Sequence, residues 1–242
     1  MELRIDARGT ALCLAAIVIV LAVAHVGGMV ARYVFDHEYA FGLIDTFNLN
    51  FENNVPTFFT TFMLVACAAL LAVIARHSAM TDGGATYWKW LAIVFLFLAV
   101  DEDASLHELL IQPLRERLPM AGPLYFAWVV PYGLAVLVVG LVYIKFVQSL
   151  PVRTRRLFVA AGSIYLAGAL GFEFAGGWYL SQVEASEDFP YSLLVAVEEL
   201  LEMSGIVLFI YALLDHLRQR LEGAALRIRI PAAESETGCP PR

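Results

Sequence analysis

The sequence predicts an all-α integral membrane protein, a bundle of six transmembrane helices with both termini in the cytoplasm. Three observations carry this reading. Of 242 residues, 60% are hydrophobic and 16% charged, with a mean hydropathy of +0.71, against roughly 45–50% apolar and about 25% charged in a soluble domain. Such a chain has too few polar residues to cover an apolar core in water. Six segments, at 11–31, 55–75, 87–110, 124–146, 157–180 and 191–214, each offer the run of about 20 mostly apolar residues that crosses roughly 30 Å of hydrocarbon. The basic residues, finally, fall almost entirely on alternate connections.

The first segment follows Arg4 and Arg8 and contains Ala22-Val23-Ala24, a small-residue pattern seen at leader cleavage sites. Its apolar character runs on through Val26, Met29 and Val30, so an uncleaved helix is expected. The second opens at Asn54 and Pro56, a cap residue and a first-turn proline. The third follows Asp82-Gly83-Gly84 and is expected to carry the acidic run 101–108 in its last turns. Leu118-Pro119 and Gly122-Pro123 precede the fourth, where a kink is expected at Pro131. Ser149-Leu150-Pro151 precedes the fifth, whose Glu173 is followed by Ala175, Gly176 and Gly177, small enough to admit a neighbouring helix. Phe189-Pro190 leads into the sixth. Residues 1–217 thus form the transmembrane domain, and 218–242, with Pro231, Gly238, Pro240 and Pro241, a polar cytoplasmic tail expected to be flexible. Long apolar runs rather than short alternating strands argue against an outer-membrane barrel.

With the amino terminus inside, the inner connections collect 13 of the 16 basic residues and the outer ones keep only Arg32, Arg115 and Arg117. That bias places the protein in the inner membrane with its termini in the cytoplasm. Cys13, Cys67 and Cys239 then lie toward the inner side, and no disulfide framework is expected. Excess acid, 23 residues against 16 basic, excludes a nucleic-acid binder.

The acids are the informative residues. Glu52 stands just outside the second segment, Asp101, Glu102, Asp103 and Glu108 lie near the outer end of the third, Glu173 in the fifth, and Glu198, Glu199 and Glu202 in the sixth. At about 1.5 Å per residue their depths fall within roughly 0–17 Å of the outer boundary. Glu198 and Glu202 share one helix face, with Glu199 beside them. On the third helix Asp101, Ser105 and Glu108 are expected on one face, flanked by His107 and Glu102. A charge at a helix centre costs about 2.5–3.5 kcal/mol on the insertion scale. Protons, water or a bound cation must therefore offset so many carboxylates at one depth.

Carboxylates with a histidine suit iron or manganese, whereas structural zinc favours cysteine and more imidazole. The expected metal ligands are Glu52, Asp101, Glu102, His107, Glu108, Glu173, Glu198 and Glu202. A dinuclear site stays open, although the Glu-x-x-His pairs of four-helix di-iron proteins are missing. Haem, which would need His25 paired with His107, is set aside. His37, His77 and His216 are expected to be solvated at loops or helix ends. Neither a phosphate-binding glycine loop nor a nucleophile elbow occurs.

The motifs Glu52-x-Asn54-x-Pro56-Thr57, Asp101-Glu102-x-x-x-x-His107-Glu108 and Glu198-Glu199-x-x-Glu202-Met203-x-Gly205 resemble those of a group of uncharacterised bacterial multi-pass membrane proteins. That resemblance covers the second to sixth helices and implies no activity. The alkaline ceramidase-like hydrolases are a second comparison, but their three-histidine zinc site on seven helices has no counterpart here.

The functional expectation is a carboxylate and histidine metal pocket opening toward the periplasm. If it is catalytic, iron-dependent oxidation of a lipid or quinone entering from the bilayer suits it, with Trp128, Tyr132 and Trp178 lining the approach or anchoring the interface. Two rivals remain open: a proton-coupled or cation carrier using the same glutamates, and a non-enzymatic subunit whose acids pair with a partner protein. Membrane lipids are the expected surroundings.

Overall fold

The structure is a computed structural model that describes residues 6–37, 39–81, 84–116, 122–183 and 188–220. Among them every regular element is helical: α1 (Ala7–Phe35), α2 (Leu43–Thr46), α3 (Val55–Thr81), α4 (Ala85–Ala104), α5 (Ile111–Arg115), α6 (Val129–Ser149), α7 (Val152–Leu166), α8 (Glu173–Gln182) and α9 (Phe189–Arg220), with short 3-10 turns between some of them. A π-helical segment, Ala167–Phe172, joins α7 to α8 without a break. Four stretches are long and apolar enough to cross a membrane: Ala7–Phe35, Val55–Ala79, Val129–Ser149 and Val152–Gln182. The other two long helices are α4, with Asp101, Glu102 and Asp103, and α9, with Glu198, Glu199, Glu202 and Asp215.

Helix ends follow local chemistry. Asp6 caps α1 by accepting from the Arg8 and Gly9 amides at 3.3 and 2.9 Å. Asn54 caps α3, its Oδ1 accepting from Thr57 N at 3.1 Å, and Asp188 does the same for α9 through Tyr191 N at 3.0 Å. Pro131 lies in the first turn of α6, where its missing N–H has no partner to lose. The helix therefore starts there and does not kink as the sequence suggested.

The α9 helix is the centre of the molecule. It packs against α1, α3, α7 and the π segment, and it buries Met203, Ile206, Ala212 and Leu213 almost completely. Two glycine contacts set the spacing to α7 and its continuation. A Cβ at Gly205 would stand 2.8 Å from Tyr165, and one at Gly168 would stand 2.7 Å from the Glu198 carbonyl oxygen. Gly176 and Gly177 face Tyr191 and the 123–126 turn, so the close helix approach expected beside Glu173 occurs one and a half turns earlier, at Gly168.

At the opposite end of α9, Asp215 is 2% exposed. It accepts from Arg153 Nε at 2.7 Å and Gln219 Nε2 at 2.7 Å, and Arg218 is 3.4 Å away. His216, expected in solvent, is buried instead. Its Nδ1 meets Thr154 Oγ1 at 3.3 Å and its ring lies against Trp88. Continuation of α9 to Arg220 carries the helix past the expected tail boundary and folds this turn into the core. His37 is exposed and His77 half-buried. Cys13 and Cys67 are free thiols; Cys239 and the tail from residue 221 lie outside the described residues.

Candidate metal centre

All eight sequence-predicted ligands line one cavity of about 180 Å³. The loop before α3 supplies Glu52, and α4 with the turn that follows supplies Asp101, Glu102, His107 and Glu108. Glu173 comes from the first residue of α8, and Glu198 and Glu202 from α9. Glu199 and Tyr165 also line it, with Trp128 and Tyr132 on one wall.

Local structure explains each placement. The α4 helix stops at Ala104 because Ser105 turns left-handed, φ 49°. His107 therefore does not continue the helix face. The chain folds back so that its backbone N–H donates to Asp101 Oδ1 at 2.9 Å. Tyr132 Oη donates to the same oxygen at 2.8 Å, and His107 Nδ1 stands 3.4 Å from Oδ2. Both Asp101 oxygens are thus engaged, and His107 Nε2 is the ring nitrogen left to meet a ligand. This is the carboxylate–imidazole arrangement that orients a metal-binding histidine. Asp101, expected as a ligand, is better placed to position one.

Glu52 is held by its own motif. Asn54 Nδ2 donates to the Asn48 and Phe51 carbonyls at 2.6 and 2.8 Å, and Thr57 Oγ1 to Phe51 O at 3.2 Å. His25 braces the same loop: its Nδ1 accepts from Leu49 N at 3.1 Å, and its Nε2 is 3.2 Å from Ser192 O on α9. His25 is therefore a buried tie between α1, this loop and α9. Glu52 Oε2 is buried and makes no hydrogen bond among the described residues. Burial, opposed by nearby His107, pushes the Glu52 carboxyl up to about 7.

At this end of the cavity, donor atoms of Glu52, His107 and Glu108 lie within 4.8 Å of one another. Two ligands about 2.1 Å from one metal stand at most about 4.2 Å apart, so the trio closes on a cation with a small movement. Glu108 is exposed and free to make it.

Deeper in, Glu173 accepts from Trp128 Nε1 at 2.8 Å and lines the cavity together with Glu198. Glu202 and Tyr165 line the same cavity. Glu102 lies within electrostatic reach of Glu199 and Glu52. The eight candidates therefore divide into a rim trio with cation geometry, Asp101 hydrogen-bonded to His107 beside it, and a deeper set of four glutamates, Glu102, Glu173, Glu198 and Glu202.

Sequence reasoning left Glu199, Tyr165 and Gly168 off the site. The Glu199 phase beside Glu198 and Glu202 was a usable signal. Nothing distinguishes Gly168 from Gly162 or Gly171 without the π segment. Trp128 and Tyr132, read as lining residues, are hydrogen-bond donors to carboxylates; Trp178 is 55% exposed and stands outside the cavity.

A family model described as a domain of unknown function, DUF8692, matches residues 11–217 and so spans every residue of the cavity. No curated protein and no solved structure matches the chain. With most of its length and the whole of its acidic cavity inside that match, the chain belongs to the DUF8692 family.

Proposed function

We propose that this protein is a multi-pass inner-membrane protein that binds iron or manganese through Glu52, His107 and Glu108. In this reading α4 and α9 also cross the membrane, making six spans. Both termini face the cytoplasm and the cavity occupies the outer half of the bilayer, open toward the periplasm. The observation that carries it is the rim trio, with donor atoms within 4.8 Å and one buried, unpartnered oxygen on Glu52. A buried carboxylate oxygen without a partner loses its solvation with no return; a cation restores it. Oxygen donors with one imidazole suit iron(II) or manganese(II). Glu173, Glu198, Glu199 and Glu202 line the same cavity beneath the trio and are the carboxylates a second ion would draw on. The chemistry this combination supports is metal-dependent oxidation of a lipid-phase substrate.

The carrier reading has less support. Below Glu202, α9 presents no ionisable side chain except Tyr211 until Asp215, and Asp215 is already tied to Arg153, Arg218 and Gln219. A path to the other face would have to cross that apolar stretch.

Elemental analysis of the purified protein beside Glu52→Gln and His107→Gln tests the proposal. Near-stoichiometric iron or manganese in the wild type, lost in both variants, supports it. Metal at trace level in a folded wild type supplied with both ions overturns it.

A further inference from the structure

A second cavity, of about 410 Å³, lies between α4, α6, α7 and α9, within the range of about 300–1,000 Å³ typical of small-molecule sites. Its walls are almost wholly apolar, with Phe95, Tyr143, Phe158 and Phe209 contributing rings. It shares Leu98, Tyr165 and Leu166 with the acidic cavity, so the two chambers meet through a common wall. Along α9 the acids end at Glu202 and the apolar chamber begins at Gly205; along α4 the chamber ends at Leu98 and the acids begin at Asp101. The offset from Phe95 to Asp101, or from Glu202 to Phe209, is about 9–11 Å at 1.5 Å per residue. A polar chamber thus stands end to end with an apolar one.

The apolar chamber also has an opening. A Cβ built on Gly140 of α6 or Gly162 of α7 would meet nothing within 4 Å, so the wall between these helices is thin where both glycines line the chamber. The outer face of α6 is a row of exposed Leu134, Leu137, Val138, Leu141 and Val142, which is a lipid-facing surface in a membrane. A ligand arriving there comes from the hydrocarbon phase.

We propose that the apolar chamber holds the hydrocarbon tail of a single-chain lipid, entering between α6 and α7, whose small uncharged oxygen-bearing head reaches the acidic cavity past Tyr165. Chamber sizes and charge select this ligand class. About 180 Å³ admits a hydroxyl or aldehyde beside a cation but not a phosphate diester head with its second chain. The facing carboxylates repel an anionic head. Tyr165 lines both chambers and so stands at the junction where such a head would exchange hydrogen bonds. This inference rests on the proposed function for the role of the metal, but the tail chamber itself does not require it.

The test is photolabelling in lipid nanodiscs with hexadecanol carrying a mid-chain diazirine, read by peptide mass spectrometry, with metal content and melting temperature measured on the same samples. The expected result is labelling concentrated at 91–98 and 158–166, reduced at least fivefold by Gly162→Leu and by Gly140→Leu, with melting temperature and metal content kept. A diazirine phosphatidylcholine should label the exposed lipid-facing surfaces, that of α6 among them, and not the chamber. Labelling spread over Leu134, Leu137 and Leu141 and unchanged by both fillers overturns the proposal, as does equal chamber labelling by the phosphatidylcholine. Chamber labelling in Glu52→Gln that has lost its metal leaves the tail site standing. Chamber labelling in a metal-free wild type retires the metal reading alone.

Discussion

Replacing Gly168 with alanine puts a methyl group 2.7 Å from the Glu198 carbonyl oxygen, 2.8 Å from Glu202 Cγ and 3.1 Å from Glu202 N. Two of the three neighbours are backbone atoms of the central helix, so no side-chain rotation relieves the contact. Reaching an ordinary separation of 3.4 Å requires the π segment to retreat from α9 by about 0.7 Å, and overpacking of this kind costs about 1–3 kcal/mol. The same retreat carries Glu173, five residues on, away from Glu198 on the opposite wall of the cavity. Gly171, in the same π segment, has nothing within 4 Å of its Cβ position, and alanine there should be neutral or stabilising by about 0.5–1 kcal/mol. Melting temperatures of the two variants in one detergent, with metal content measured alongside, make the comparison. Gly168→Ala should melt several degrees below wild type and bind metal more weakly, while Gly171→Ala should match or exceed wild type. Equal melting temperatures for the two variants would show that the close approach of the π segment to α9 is not what builds the cavity.

The remaining predictions follow the same geometry. Asp101→Asn removes the charge that orients His107 and should weaken metal binding about 10–100-fold; Tyr132→Phe, which deletes one hydrogen bond to Asp101, should weaken it less, both read by competition with a fluorescent chelator. The Glu52 carboxyl lies above its unfolded value, so the folded state holds that proton more tightly. Its contribution to metal-free stability therefore declines as pH rises from about 4.5 to about 7 and levels off above that, and Glu52→Gln should flatten this part of a melting-temperature profile. Metal binding must displace the same proton, and His107 must be neutral as well, so affinity should rise at least about tenfold per pH unit below pH 7; an affinity independent of pH would count against Glu52 as a ligand. Arg153→Ala leaves buried Asp215 with Arg218 and Gln219 and should lower the melting temperature without changing metal content.

Hydropathy and length were enough to locate the six long helices, because each segment's need for apolar surroundings is written residue by residue. The gathering of Glu198 and Glu202 was equally legible, since both lie in uninterrupted helix where a 100° step holds. The phase argument failed for His107 because Ser105 takes a left-handed conformation that composition does not announce. That break changes the geometry of the motif: Asp101 accepts from His107 N, and the trio with donor atoms within 4.8 Å is Glu52, His107 and Glu108. Gly168 was invisible for a related reason, since a π segment shifts every following residue in phase and no residue type marks it. His216 read as a solvated helix end because its partner, Thr154, is some 60 residues away. Pro131 was misjudged by a few residues of helix boundary, which is enough to turn a kink into a helix start.

The most direct test of the metal centre is an anomalous-difference map, measured at the iron or manganese edge, from crystals grown with that ion. The account predicts a peak within about 2.0–2.3 Å of Glu52 Oε2 and His107 Nε2, with Glu108 drawn in to complete the trio. A map with no peak in the acidic cavity, or with its peak beside Asp215, would contradict it.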